Sequence, residues 1–221
     1  MLAQHLHDVG HSVLGVTGES TAASVFADKW AVITNSKSIL RTSTRLYRLT
    51  RLQFPSGITG LAITVSSDDN ALLKSWLTDF SAEATPDEPT DDIAAVVDRR
   101  VKARELVLWT IDNIAVSLAG RSAIVDGVAR IGPVFTPPEY RRHGYGAAVT
   151  AAATWLSFQI GAKQVILYTD LDYPTSNKIY QDIGFIPDHD GKAIYFEPQK
   201  GNSKKISISS LLNLRVCNAN L

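Results

Sequence analysis

Apolar positions in residues 61–197 recur with periods that sort the chain into alternating strands and helices. Residues 61–65 read as a strand. Leu72, Leu73, Trp76, Leu77 and Phe80 then share one face of a helix, with Ser67, Asp68 or Asp69 available as caps. A second helix behind Thr90 points Ile93, Val96, Val97 and Val101 inward. Between the two, residues 81–92 hold Glu83, Asp87, Glu88, Asp91 and Asp92 with Pro86 and Pro89, and read as an acidic loop. Strands at 105–111 and 114–118 flank Asp112-Asn113, a pair suited to a tight hairpin turn. The strand 128–135 follows, interrupted by Gly132-Pro133, a break with an ordinary central ladder because proline lacks a donor.

The pattern then predicts a helix over 146–160, apolar on nearly every face, with Thr150, Thr154 and Ser157 as its only polar stripe. Such a helix is largely buried. Gly161 ends it. Residues 165–169 form an almost continuous apolar strand, as inside a sheet. Thr175 or Ser176 caps a short helix bearing Ile179, Tyr180 and Ile183 and closed by Gly184. A last hairpin joins 185–187 to 193–197 around Asp188-His189-Asp190-Gly191. Outside this region the pattern weakens. Ala22, Ala23, Phe26 and Trp30 suggest a helix over 19–30 capped by Thr17 or Ser20, and 45–49 is strand-like. The expected organisation is an appendage at 1–60, either a remnant of a second half-domain or a partner surface, a domain at 61–197, and a tail at 198–221.

Composition narrows the function classes. The 221 residues carry 22 basic and 22 acidic side chains, a net charge of zero, which argues against a dedicated nucleic-acid binder. No apolar run approaches the roughly 18 residues that span a bilayer, and residues 1–10 lack the features of a secretory signal, so no membrane partner and a cytoplasmic location are expected. The lone cysteine, Cys217, excludes an intrachain disulfide and a multi-cysteine metal site. His5, His7 and His11 have no carboxylate cluster to complete a ligand set and read as exposed side chains, with no metal expected.

The candidate chemistry lies after the strand 128–135. Arg141-Arg142-His143-Gly144-Tyr145-Gly146 opens the buried helix, and a glycine-spaced loop at a helix N-terminus presents unpaired amides and positive potential to an anion. The alternative is a solvated basic turn. Arg141-x-x-Gly144-x-Gly146, followed by Ser176-Asn177-Lys178-Ile179-Tyr180 and Gly184-Phe185, resembles the GNAT superfamily of N-acetyltransferases. Within it, Thr136-Pro137-Pro138-Glu139 and Pro174-Thr175-Ser176-Asn177 are similar to an uncharacterised bacterial subgroup with TPPE and NPTSN-IY-like segments. The resemblance covers about 140 residues. It implies an α/β fold: a mixed, mostly antiparallel sheet flanked by helices, splayed between the domain's fourth and fifth strands (128–135 and 165–169).

The resemblance also implies acetyl-CoA as cosubstrate and acetyl transfer to a primary amine by direct attack in a ternary complex. Cofactor contacts fall to Val134, Phe135 and Thr136 on the bulged strand, to Arg141, Arg142, His143, Gly144, Tyr145, Gly146 and Ala147 at the loop, and to Asn177. Tyr180 becomes the acid that protonates the departing thiolate; its other reading is a core aromatic, as Asn177's is a cap. The general base is not visible. Glu139 is nearest to the expected strand, while Asp170, Asp172, His143 and a water relay stay open. The five carboxylates of 81–92 suggest a cationic acceptor, or a solvated connection. Partners are thus acetyl-CoA and an amine-bearing acceptor, with homo-oligomerisation undecided. The competing class is a non-catalytic acyl-CoA-binding or regulatory domain.

Overall fold

A computed structural model describes residues 2–84, 92–171 and 174–198. These divide by contact density into two compact units: residues 2–45 with 189–198, and Leu46–Asp188. The expected boundaries at 60 and 197 do not coincide with this division. Two long strands, β2 (Ser36–Leu49) and β8 (Phe185–Pro198), contribute to both units.

The smaller unit contains α1 (Leu2–Asp8), β1 (Gly15–Glu19) and α2 (Ser20–Thr34). Its strand order is β1-β8-β2, with β1 antiparallel to β8 from Gly15↔Tyr195 to Glu19↔Gly191. Glu19, not Thr17 or Ser20, caps α2: its carboxylate accepts from the amides of Thr21 and Ala22, which holds its pKa below the usual glutamate value. Ala23, Ala27 and Trp30 face inward, and Trp30 packs on Phe26 and Phe196. His5, His7 and His11 are exposed, and the described residues contain no group of three potential metal-binding side chains.

The expected C-terminal hairpin does not form. Residues 185–198 are a single strand, because the polar stretch read as a turn is occupied in cross-strand pairing with β2. Arg45 donates to both oxygens of Asp190 (2.6 and 3.0 Å), and Arg48 donates to Asp188 at 3.0 Å. Gly191 fits where a Cβ would meet the Thr44 hydroxyl at 2.9 Å.

The larger unit has its strands in the order β2-β7-β6-β5-β4-β3: β3 (Leu61–Thr64), β4 (Leu106–Ile111), β5 (Ile114–Arg121), β6 (Val128–Phe135) and β7 (Gln164–Asp170). Strands β3 to β6 pair antiparallel; β6 and β7 pair parallel. Asp112 and Asn113 both take positive φ (49° and 65°), the turn their residue types predict. Side chains alternate across the sheet. Leu106, Leu108, Leu118 and Phe135 pack under α3 (Asn70–Ala84) and α4 (Ile93–Lys102), whereas Val107, Ala119 and Val134 pack with α5 (Tyr145–Gln159) and α6 (Pro174–Asp182).

Helix starts shift by small amounts. Ser66 builds a capping box with Asp69 before a short 3₁₀ turn and α3, and Asp92 caps α4 by accepting from the Ala95 amide. The cap expected at Thr90 lies outside the described residues. In α5 the polar stripe faces inward: Thr150, Thr154 and Ser157 are fully buried, while Trp155 is 46% exposed. Thr150 and Ser157 satisfy their hydroxyls on the carbonyls one turn back, Gly146 and Ala153, so small side chains bring the helix close to the sheet, and the buried Thr154 hydroxyl is the one member of the stripe without a hydrogen-bond partner. No described helix is long and apolar enough to cross a membrane.

Candidate active site

The site grows from a fault in the sheet. The parallel ladder between β6 and β7 runs from Val128↔Gln164 to Ile131↔Leu167 and stops, although β6 continues to Phe135 and β7 to Asp170. Beyond that point the facing backbone edges do not pair with each other. The cause is a bulge at Gly132-Pro133: both residues lie opposite Gly120, between the pairs Ala119↔Val134 and Arg121↔Ile131. Pro133 has no amide to offer, and the Gly132 carbonyl is taken by Arg100 of α4 at 3.1 Å. Gly120 is required, since a Cβ there would stand 2.7 Å from the Gly132 carbonyl oxygen. The bulge also changes the strand's phase, so that Ile131 and Val134, three residues apart, join the same core cluster.

Val134, Phe135 and Thr136 form the β6 wall. All three side chains are buried. Ser117 on β5 donates to the Phe135 carbonyl and shares a hydrogen bond with the Thr136 hydroxyl at 2.8 Å. These contacts leave backbone groups, not side chains, as what this wall can offer a ligand. The opposite wall ends in Thr169 and Asp170, both buried.

After a 3₁₀ turn (Pro138–Tyr140) the chain enters the glycine loop. Arg142 and Gly144 adopt left-handed φ of 66° and 80°, and Gly144 is the N-cap residue of α5, with no side-chain cap. The first helical bond runs from Ala148 to the Gly144 carbonyl, so the amides of Tyr145, Gly146 and Ala147 precede the ladder and converge at the positive end of a 15-residue helix. Ile58, from the connection before β3, packs where a Gly144 side chain would be, 2.6 Å from its ideal Cβ. Exposed Arg142 and His143 flank these amides; His143 stacks on Tyr145 with ring centroids 5.4 Å apart. An uncapped helix start, two left-handed residues, one guanidinium and an imidazole fit a pyrophosphate.

Arg141, expected to supply charge to the phosphates, has partners within the protein. Its Nε donates to the Thr136 carbonyl at 2.8 Å, and its Nη2 to both oxygens of Glu83 at 2.9 and 2.8 Å. Glu83 therefore belongs to the last turn of α3 and not to a loop. Residues 85–91, with the other central carboxylates of the acidic segment, lie outside the described residues, as does Asp172.

On the β7 side, the Thr169 hydroxyl donates to Asn177 Oδ1 at 2.5 Å, which ties the start of α6 to the end of the strand. Tyr180 follows Asn177 by three residues, roughly one turn along the same helix face. Its ring is 2% exposed and packs against Tyr47 (6.5 Å between centroids) and Phe185 (6.4 Å). Glu139 is exposed on the 3₁₀ turn. The structure thus brings the loop, the β6 wall, Asn177 and Tyr180 to the end of the sheet where β6 and β7 part. Sequence reasoning missed Arg100, Ser117 and Ile58 and took Glu83 only as one carboxylate of an acidic loop; none of them stands in a recognisable motif, and each acts through a partner far away in the chain.

The profile of the Acetyltransferase (GNAT) family matches residues 70–185, more than half of the chain. No curated protein matches. Among solved structures, a GNAT-family acetyltransferase from Colwellia psychrerythraea aligns with a TM-score of 0.61 at 14% identity, covering 90% of this chain and 70% of its own. A GCN5-related N-acetyltransferase from Kribbella flavida aligns at 0.52 and 22% identity, covering 78% and 63%. One from Sphaerobacter thermophilus aligns at 0.57 and 16%, covering 86% and 62%. The chain spans about two thirds of the length of these proteins, and at such identities the likeness is one of fold. With the profile match spanning the split strands, the glycine loop and Tyr180, the chain belongs to the GNAT family of acetyltransferases, whose members use acetyl-CoA.

Proposed function

We propose that the protein transfers the acetyl group of acetyl-CoA to a primary amine by direct attack in a ternary complex. The observation that carries this reading is the halted β6–β7 ladder leading directly to an uncapped, glycine-spaced helix start. Bound acetyl-CoA supplies a thioester as the acetyl donor. The amides of Tyr145, Gly146 and Ala147, with Arg142 and His143, hold the pyrophosphate through charge and backbone donors. The open edge of β6 at Val134, Phe135 and Thr136 accepts the pantetheine arm as a strand partner, and Asn177 closes the far side. Tyr180 gives its phenolic proton to the sulfur as the carbon–sulfur bond breaks. Glu139 takes a proton from the attacking amine. Holding both reactants in one cleft contributes further to the rate. Since Glu83 and Asp92 each have a structural partner, a preference among amines has no support from the described part of the acidic segment.

Thiol release from acetyl-CoA, followed with a panel of primary amines, tests the proposal. Transfer to at least one amine is expected, and Tyr180→Phe lowers kcat by about 10²- to 10⁴-fold while coenzyme A affinity holds. Tight coenzyme A binding with no thiol release for any amine would replace catalysis by the reading of an acyl-CoA-binding domain. Undiminished turnover in Tyr180→Phe would remove that residue as the acid.

A further inference from the structure

We infer that Glu83 is a positioning residue for the coenzyme A loop, and that Arg141 serves the loop as its anchor and not as a phosphate ligand. The inference rests on the reading of that loop as the pyrophosphate site. Arg141 joins three separate pieces of the larger unit. Its Nε closes residues 137–140 into a turn by bonding the Thr136 carbonyl, five residues back, and its Nη2 reaches both oxygens of Glu83 on the final turn of α3. Thr136 is itself fixed, 2% exposed and hydrogen-bonded to Ser117 of β5. The Nε and Nη2 edge of the guanidinium is thereby used, and its charge is neutralised at 2.8 Å by a carboxylate.

The next residue shows what the anchor is needed for. Arg142 is an exposed, non-glycine residue with a φ of 66°, a conformation that costs an L-residue about 1–2 kcal/mol and persists only where neighbours impose it. On its C-terminal side Gly144, with a φ of 80°, rests on Ile58; on its N-terminal side Arg141 is the fixed point. The Glu83–Arg141 pair is only 30% and 25% exposed, so it is screened less than a surface ion pair. Holding the loop in its bound shape beforehand lowers the ordering cost of binding.

The test is a double-mutant cycle on the full chain with Glu83→Gln, Arg141→Gln and the double variant, read by calorimetric titration of coenzyme A. Amide exchange of residues 140–147 in the ligand-free protein and steady-state kinetics complete it. Each single variant is expected to weaken coenzyme A binding by roughly five- to tenfold, with the double variant no weaker than Arg141→Gln, because that variant already removes everything Glu83 holds. Acetyl-CoA KM rises with kcat unchanged, and the loop amides exchange faster in all three variants. If Glu83→Gln binds coenzyme A as well as or more tightly than wild type while Arg141→Gln loses affinity, Arg141 is a phosphate ligand and the inference is overturned. Multiplying single effects overturn it as well. Should the wild type bind no coenzyme A, the proposed function fails on its own, and unchanged loop exchange in Glu83→Gln would still count against the clamp.

Discussion

Gly144→Ala probes the loop through two separable costs. An alanine at φ 80° incurs about 1–2 kcal/mol of backbone strain. Its Cβ would also meet Ile58 Cδ1 at 2.6 Å, so that side chain must retreat by about 1 Å to reach carbon contact distance, a rotamer excursion of roughly 0.5–1.5 kcal/mol. Together these amount to about 1.5–3.5 kcal/mol, and thermodynamic linkage decides where they are seen. If the free loop relaxes, the loss falls on binding, and coenzyme A affinity drops about 10- to 350-fold. If the loop keeps its shape, the loss falls on folding, and Tm drops by roughly 2–4 °C per kcal/mol. Calorimetric titration and thermal unfolding of the same preparations measure both parts, and their sum should match the total. Adding Ile58→Ala should return the packing part but not the backbone part. A Gly144→Ala variant with wild-type Tm and wild-type coenzyme A affinity would refute both the left-handed assignment and the contact with Ile58.

Two other perturbations address the strands. Gly120→Ala drives a methyl group against Arg100 and to 2.7 Å from the Gly132 carbonyl oxygen, so overpacking of about 1–3 kcal/mol should lower Tm and raise the acetyl-CoA KM together; an unchanged melting curve would contradict the bulge geometry. The Arg45 guanidinium beside Asp190 holds its carboxyl below the usual aspartate range. Because the native pKa is the lower one, this pair's contribution is present above the unfolded value of about 3.9 and is lost as pH falls through the native value. With the two side chains 35% and 41% exposed, the contribution after screening is roughly 0.5 kcal/mol. The Tm difference between wild type and Asp190→Asn should stay constant from about pH 7 to pH 5 and vanish near pH 3. A difference that grows on acidification would reverse the sign and discard the pairing.

What the sequence determines by itself is whatever depends on neighbours within a few residues. The apolar faces of α3 and α4, the Asp112-Asn113 turn, the bounds of β6 and the glycine loop before α5 all follow from local spacing and backbone preference, because a helix face or a left-handed turn needs no distant partner. Tertiary structure decides the use of charge and polarity. Asp188 and Asp190 read locally as turn residues, yet arginines 140 and 145 positions earlier make them part of a continuous strand. Thr150, Thr154 and Ser157 read as the only polar stripe of a largely buried helix, with no side assigned to it, and the fold turns that stripe toward the sheet, where small volume and the back-bonds of Thr150 and Ser157 suit it. Arg141 reads as a charge for phosphate, yet Glu83, 58 residues away, claims it. For these charged side chains the group that satisfies each one stands far away in the chain, and only the folded chain supplies it.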